Sequence, residues 1–119
     1  MRILITGSRD WDDEQLIKDA LEFWSDLVTG EQTTLVSGAC PTGADAIAER
    51  LAEHWGWTVE RHPADWNAHG KRAGYLRNKE MVDSKPDTCV GFVKNNSRGA
   101  TMTLKLAEDA GVSTRRYDA

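Results

Sequence analysis

Residues able to bind an anion cluster in a short loop after an apolar run of this chain. Gly38 and Gly43 bracket four residues directly after the apolar run 34–37, and an amphipathic helix is predicted to begin at Gly43. Glycine lets the backbone turn tightly or approach a ligand closely, and a helix N-terminus presents unpaired N–H groups with a positive partial charge. This loop is therefore predicted to stabilise an anion such as phosphate.

The residues after Gly43 restrict the phosphate chemistry that the loop can support. Ala44 and Asp45 stand where a Walker A loop requires lysine and a magnesium-binding hydroxyl, which argues against triphosphate hydrolysis of that kind. Asp45 repels a phosphate beside it, so a functional Asp45 accepts hydrogen bonds from ribose hydroxyls or a base, or orients a water. A structural role is equally compatible with the sequence, because Thr42 and Asp45 fit a capping box at the start of the helix.

Two further loops or helix starts carry cationic and amide side chains. Ser8 and Arg9 directly follow the first apolar run, where Gly7 lets the chain turn and Arg9 can offer a planar fork to phosphate. Arg77 and Asn78 lie in the first turns of a predicted helix. There the guanidinium can reach an anion, and the amide can recognise a base or ribose.

The remaining aromatic and histidine residues carry weaker signals. Trp66 lies in a polar loop and is a candidate for base stacking, whereas the other tryptophans are interpreted as packing residues. His62 and His69 lack a partner at metal-binding spacing and are interpreted as loop residues. No metal site and no cofactor are expected.

Strands are predicted to alternate with helices along the whole chain, and the strands determine where the loops described above lie. Strands are predicted at residues 2–6, 34–37 and 88–93, which are mostly apolar, at the short segment 58–61, and at residues 112–117 as an edge strand. Helices with one apolar face separate them. The pattern predicts an α/β fold: a single Rossmann-like three-layer domain over residues 1–119, with a mostly parallel five-stranded sheet and helices on both faces. Loops that follow parallel strands meet at one edge of the sheet, where ligands bind in such folds.

Several local features are predicted for the helices. Asp12 and Gln15 resemble a capping pair for the first helix, whose inward positions extend to Leu27 and Val28. The second helix is predicted over residues 43–55 and the third over residues 74–84. In the third helix, Tyr75 is expected to point inward with Met81 and Val82. The fourth helix is expected to open at the polar turn 95–99.

Composition narrows the classes of partner. The net charge of −4, from 19 acidic and 15 basic residues, argues against unspecific attraction to nucleic acid or an anionic membrane. Residues 61–79 hold five basic side chains and one acidic one, which fits a small anionic ligand. The two widely spaced cysteines indicate reduced thiols, and no apolar run approaches the roughly 20 residues of a membrane span. A cytoplasmic protein without membrane partners is expected.

Taken in order, the motifs resemble the SLOG superfamily, the Rossmann-like group that contains the LOG phosphoribohydrolases and the DNA-processing protein DprA. The branch that the chain resembles is the small YspA-like, YpsA-related family. The matching elements span nearly the whole chain and are Gly7-Ser8-Arg9, Ser37-Gly38 through Gly43-Ala44-Asp45, Ala73-Gly74 through Arg77-Asn78, and Gly99-Ala100-Thr101.

The resemblance implies a nucleotide or a nucleotide-derived, ADP-ribose-like ligand, bound across these loops in a homodimer. Such a protein is a sensor or a sequestering module. The residues then expected to bind the ligand belong to the matching elements and the segments beside them: Gly7, Ser8, Arg9, Gly38, Thr42, Gly43, Asp45, Arg77, Asn78, Arg98, Gly99, Ala100 and Thr101.

Catalysis is a separate question, because the LOG enzymes cleave an N-glycosidic bond with the glutamate of a P-G-G-x-G-T-x-x-E signature. Here only Gly99 clearly matches, and Thr103 stands at the glutamate position. Hydrolysis is therefore the second hypothesis, with Asp45 as the candidate carboxylate. Single-stranded nucleic-acid binding is the third, which the relationship to DprA favours and the overall acidity opposes.

Overall fold

Five parallel strands form the central sheet of the chain, whose computed structural model describes residues 1–26 and 32–119. The strands are β1 (Arg2–Gly7), β2 (Thr34–Ser37), β3 (Thr58–Arg61), β4 (Thr88–Val93) and β5 (Ser113–Asp118). They lie in the order β3-β2-β1-β4-β5, and every neighbouring pair is parallel. The Rossmann-like α/β prediction is confirmed, with a fully parallel sheet where a mostly parallel one was expected.

Helices connect these strands and cover the sheet. They are α1 (Glu14–Asp26), α2 (Gly43–His54), α3 (Trp66–His69), α4 (Ala73–Asp83) and α5 (Arg98–Asp109), with a 3-10 turn at Gly70–Arg72. The short α3 and the 3-10 turn occupy a segment that was expected to be an irregular connection. The predicted inward positions Leu27 and Val28 lie outside the described residues. No helix in the described part of the chain is long and apolar enough to cross a bilayer.

The core consists of one apolar layer on each face of the sheet. Successive strand residues point to opposite faces. On one face, Ile3 and Ile5 of β1 pack with Ile17 of α1 in a cluster that also takes in α2. On the other face, Leu4 packs with Met81 of α4 in a cluster that includes α5. Helices therefore cover both faces of the sheet, and the ends of the strands stay open between them.

The order of the strands determines where that room lies. From β1 the chain moves outward through β2 to β3, and it then returns to the other side of β1 to form β4 and β5. The carboxyl ends of β1 and β4 are neighbours, with Gly7 opposite Phe92 in the register. Because the connections after these two strands run to opposite faces, a crevice opens between them, as is usual at the switch point of such sheets.

The predicted cap of the first helix is wrong. Helix α1 begins one residue later than a capping pair of Asp12 and Gln15 requires, and Asp13 caps it by accepting the N–H of Leu16 at 3.1 Å. Gln15 instead donates to the side chain of Asp19 at 2.8 Å.

The second correction concerns the buried face of α4. Met81 and Val82 are buried as expected, but Tyr75 is 42% exposed. Tyr75 precedes the buried Asn78 by three residues, which rotates it by about 60° around the helix axis. It therefore lies at the edge of the buried face and reaches solvent.

Candidate functional site

A cleft of about 790 Å³ opens at the carboxyl edge of the sheet, within the size range of small-molecule sites. Segments that follow β1, β2, β3 and β4 form its walls together with α4. Nine of the thirteen residues that the sequence nominated line this cleft: Gly7, Ser8, Arg9, Gly38, Asp45, Arg77, Asn78, Gly99 and Ala100. The four others, Thr42, Gly43, Arg98 and Thr101, are not among its lining residues.

Gly43 joins the start of α2 to the loop after β1. It has φ +73°, and a Cβ there would overlap the carbonyl oxygen of Ser8 and lie 2.6 Å from the Cα of Arg9. The next N–H, that of Ala44, donates to the same Ser8 carbonyl at 3.2 Å. The protein itself thus uses part of the N-terminus of α2, which reduces what that terminus can offer to an anion.

The predicted capping box at α2 does not form. Thr42 is the N-cap residue, but its side chain makes no capping hydrogen bond. Oδ2 of Asp45 instead accepts the backbone N–H of Cys40 at 3.4 Å, two residues before the cap. The carboxylate therefore stabilises the loop that borders the cleft.

Burial dominates the electrostatics of Asp45. The residue is only 7% exposed, and loss of solvation raises the pKa of its carboxyl from 3.8 to about 6. The N–H of Cys40 and the positive charge of Arg77 oppose this rise without cancelling it. The cleft therefore holds a carboxyl group that can take up or release a proton near neutral pH.

Arg77 is committed to holding the same loop. Its Nη1 donates to the carbonyl of Gly38 at 2.5 Å, and its Nε donates to Oδ1 of Asn78 at 2.8 Å. A Cβ on Gly38 would lie 2.7 Å from that Nη1 and 3.1 Å from Oδ2 of Asp45. Glycine is needed here because the guanidinium and the carboxylate pack against the same backbone carbon.

Asn78 is part of the same wall and is 5% exposed. Its Oδ1 accepts from Arg77, and its Nδ2 lies 3.7 Å from the sulfur of Met102 on α5. The thioether is a weak acceptor, so this amide N–H group retains capacity to donate to a ligand.

Ser8 fastens the loop after β1 to the end of β4. It is 1% exposed, its Oγ accepts the N–H of Lys94 at 2.7 Å and donates to the Lys94 carbonyl at 3.1 Å, and its backbone N–H donates to Phe92 at 2.9 Å. These bonds set the relative positions of the two loops that flank the crevice.

Arg9 is an uncommitted cation of the cleft. It is exposed and makes no hydrogen bond or ion pair with the residues that the structure describes. Lys94, by contrast, donates to the carbonyl of Asp10 at 3.3 Å and pairs with Asp12 at 3.6 Å. The guanidinium of Arg9 is thus available to a ligand, whereas the ammonium of Lys94 mainly holds the loop after β1.

The N-terminus of α5 also faces the cleft. Ser97 is its N-cap residue but makes no side-chain capping bond, and a Cβ at Gly99 would meet no atom within 4 Å. Asn95 and Asn96, in the loop before it, have φ values of 55° and 52°. Asparagine tolerates this left-handed conformation, which turns the chain from β4 into α5. Because no side chain caps them, the first N–H groups of α5 are open to an incoming anion.

The sequence interpretation missed several lining residues. Lys94, Asn95 and Ser97 enter the cleft because they directly follow β4, while Pro63 and Ala64 enter it because they follow β3. Their position after a strand was the available signal, since the carboxyl ends of all the strands share one edge.

His62 has a structural role that the sequence interpretation did not assign. Its two ring nitrogens contact the carboxylates of Glu60 and Glu80, and Arg2 pairs with Glu60 at 2.8 Å. Burial tends to lower the pKa of His62, but the two carboxylates outweigh it and raise the pKa. Arg2 and then His62 lower the pKa of Glu60 to about 2. The His62 ring thus ties the end of β3, where the Pro63–Ala64 wall begins, to α4.

Metal-ion ligands do not gather in the described ranges 1–26 and 32–119, where no three His, Cys, Asp or Glu side chains are placed to hold an ion.

Comparison with known proteins gives two matches. A model of the YspA, cpYpsA-related SLOG family matches residues 1–69, which include β1, β2, β3 and the loops that follow them. The Gene 61 protein of Mycobacterium phage D29 is 41% identical over 118 residues, covering 93% of this chain and 91% of that protein. No solved structure matches the chain.

Proposed function

Because this chain belongs to the YspA, cpYpsA-related SLOG family, we propose that it binds a nucleotide or a nucleotide-derived, ADP-ribose-like ligand, as a sensor or sequestering module. One observation carries the proposal: the switch-point cleft of about 790 Å³ brings the uncommitted Arg9 together with the open N-terminus of α5. A free guanidinium and unpaired helix N–H groups are the donors that phosphate requires.

The phosphate is assigned to the side of the cleft formed by Arg9, Ser97 and Gly99. The first turn of this helix provides N–H donors and a positive partial charge, and Arg9 adds a full charge. The nearby acid, Asp10, is exposed and accepts a hydrogen bond from Asn95 at 3.1 Å, so water and this amide solvate its charge. This side therefore favours an anion more than the side that holds the carboxylate of Asp45.

The sugar or base is assigned to Asp45 and Asn78. A carboxylate accepts hydrogen bonds from ribose hydroxyls, and an amide group can donate to a base or a sugar oxygen. Both side chains are buried in the wall, so their positions are set before the ligand arrives. This preorganisation lowers the entropy that binding must overcome.

Removing the free cation tests the phosphate assignment. Arg9→Ala is expected to weaken AMP binding about 10- to 100-fold, because a charge-assisted hydrogen bond contributes about 1.5 to 3 kcal/mol. Adenosine, which lacks the phosphate, should bind both proteins equally. Isothermal titration of AMP, ADP-ribose, NAD and a cyclic nucleotide measures these affinities.

The matched control is Lys105→Ala, which removes one positive charge from the distal half of α5, where Lys105 pairs with Asp109 at 3.3 Å. It should bind AMP like the wild type. Absence of binding to every ligand of the panel at millimolar concentration would rule out the proposed function. An equal loss in both variants would mean that overall charge, not the position of Arg9, matters.

Hydrolysis of a nucleotide N-glycosidic bond is a second candidate, favoured by the buried Asp45 carboxyl with a pKa of about 6. A carboxyl of this pKa can orient a water and accept its proton while an oxocarbenium-like ribose develops. The residue at the LOG glutamate position, Thr103, is buried and donates to the carbonyl of Gly99 at 3.0 Å, so another carboxylate must take this role. Asp45 is the buried carboxylate of the cleft and is our candidate, whereas Asp10 is exposed. Chromatographic detection of free base from nucleoside monophosphates, lost in Asp45→Asn, tests the candidate.

Three coarser expectations accompany the proposal. We propose a homodimer, supported by the exposed Tyr75 and Met102 on the neighbouring helices α4 and α5, and sedimentation velocity measures its mass. A reducing, cytoplasmic location is supported by Cys40 and Cys89, which are both free thiols.

Single-stranded nucleic-acid binding stays a prediction. A gel shift that weakens as salt is added would favour this function over binding of a small molecule.

A further inference from the structure

Trp66 is an exposed aromatic side chain that lines the cleft. It is 53% exposed, whereas Trp11, which packs against Phe92, is 3% exposed. No other aromatic ring of the described residues stacks on Trp66. A large apolar ring left open in a cleft is available for contact with a ligand.

The turn that carries Trp66 is held by hydrogen bonds of its backbone. Asp65 caps the short α3 by accepting the N–H of Ala68 at 3.0 Å, and its carbonyl accepts the N–H of His69 at 3.0 Å. A Cβ at Gly74 would lie 3.5 Å from Cη2 of Trp66, which places the edge of the ring near the first turn of α4. Trp66 thus extends from an ordered turn at the wall of the cleft.

The Trp66 side of the cleft differs chemically from the phosphate side. Its neighbours in the lining are Pro63 and Ala64, which follow β3 and carry no charge. The phosphate side follows β1 and β4 and carries Arg9 and the N-terminus of α5. In the sheet β2 and β1 lie between β3 and β4, so the two sides are at opposite ends of the cleft. A ligand that reaches both sides needs an apolar ring at one end and an anion at the other, with a linker between them.

We propose that Trp66 stacks on the base of the ligand, so that the site selects base-bearing nucleotides over ribose phosphates that lack a base. The inference rests on the proposed nucleotide-binding function, and it adds the orientation in which the nucleotide lies in the cleft. The base lies on Trp66 beside Pro63, the ribose lies near Asp45, and the phosphate lies at α5. Trp66 acts here as a specificity residue through its ring face.

A comparison of AMP with ribose 5-phosphate tests the inference. The wild type should bind AMP more tightly than ribose 5-phosphate. Trp66→Ala should weaken AMP about 5- to 100-fold, the range observed for loss of a stacked base, and leave ribose 5-phosphate unchanged. Trp66→Phe, which keeps an aromatic face, should retain most of the AMP affinity. Isothermal titration measures all six affinities.

Phe23→Ala is the matched control, since it removes an aromatic ring that is 57% exposed and does not line the cleft. It should bind both ligands like the wild type, and thermal melting should show all variants folded. Unchanged AMP binding in Trp66→Ala, or equal wild-type affinity for AMP and ribose 5-phosphate, overturns the stacking role while nucleotide binding stands. If the wild type binds neither molecule, this inference is overturned; the proposed function fails with it only if ADP-ribose, NAD and the cyclic nucleotide are not bound either.

Discussion

Replacing Gly43 with alanine is expected to lower the free energy of unfolding by about 2 to 5 kcal/mol. Left-handed backbone costs a non-glycine residue about 1 to 2 kcal/mol, and forcing an extra carbon into a packed site adds about 1 to 3 kcal/mol. Here the added carbon would overlap the backbone of Ser8 and Arg9, which cannot move away as a flexible side chain could. Urea denaturation of the variant and the wild type measures the loss.

Gly56 provides the matched control for this substitution. It has φ +77°, close to the +73° of Gly43, but a Cβ there would meet no atom within 4 Å. Gly56→Ala should therefore lose only the backbone component, about 1 to 2 kcal/mol. The difference between the two variants isolates the close contact of α2 with the loop after β1. Equal losses would show that this contact does not restrict Gly43.

Asp45→Asn is expected to stabilise the protein at pH 8 by about 1 to 3 kcal/mol. The pKa of Asp45 rises from 3.8 to about 6 on folding, so the folded state binds this proton more tightly than the unfolded state does. The free energy of unfolding of the wild type should consequently fall as the pH rises from about 4 to about 6. Above pH 6 it should stay at this lower value, because Asp45 is then charged in both states. A shift of about two units corresponds to about 3 kcal/mol, which sets the upper limit. Asparagine is neutral, and its side-chain oxygen can still accept from Cys40.

Urea unfolding at several pH values between 4 and 8 measures this effect. The advantage of Asp45→Asn should be absent near pH 4 and largest above pH 6. Asp10→Asn is the control, because it neutralises an exposed carboxylate of the same cleft, and exposed substitutions change stability by about 0.5 kcal/mol or less. A stability difference between Asp45→Asn and the wild type that does not vary with pH would contradict the assigned cause, burial of the charge.

A stabilising substitution at Asp45 would also bear on function. Proteins retain buried, costly ionisable groups chiefly where a site needs them, and perturbed pKa values concentrate at such sites. If Asp45→Asn is more stable and also loses ligand affinity or base release, the wild-type carboxylate is retained for the site. If neither ligand affinity nor base release changes in Asp45→Asn, Asp45 has no role in the proposed function.

Much of the fold could be predicted from the sequence because its signals are local. Strands β2, β3 and β4 match their predicted bounds, because glycine and proline breaks delimit them: Gly38 follows β2, Gly56 and Pro63 flank β3, and Pro86 precedes β4. The errors occur where neighbours along the chain do not decide the outcome. The cap of α1 was predicted at Asp12 but is Asp13 in the structure. Tyr75 was predicted to point inward but lies at the exposed edge of its helix.

The location of the candidate site could be predicted from the sequence, but the contacts of its individual side chains could not. As a rule, loops that follow parallel strands share one edge of the sheet. Nine of the thirteen residues expected from the sequence accordingly line one cleft. The rule does not indicate how each side chain is used. Gly43 and Gly38 both flank the same loop, yet Gly43 lies against the backbone after β1, whereas Gly38 lies against the side chains of Arg77 and Asp45.

The sequence by itself determined the alternation of strands and helices, the family resemblance, and the set of loops that meet at the sheet edge. Only the tertiary structure decided that Arg77 is held by the carbonyl of Gly38, 39 positions away in the chain, while Arg9 stays free. It also decided that burial raises the pKa of Asp45. The physical reason is that hydrogen bonding and desolvation depend on which distant segments pack together, whereas the periodicity of apolar residues acts over neighbouring positions.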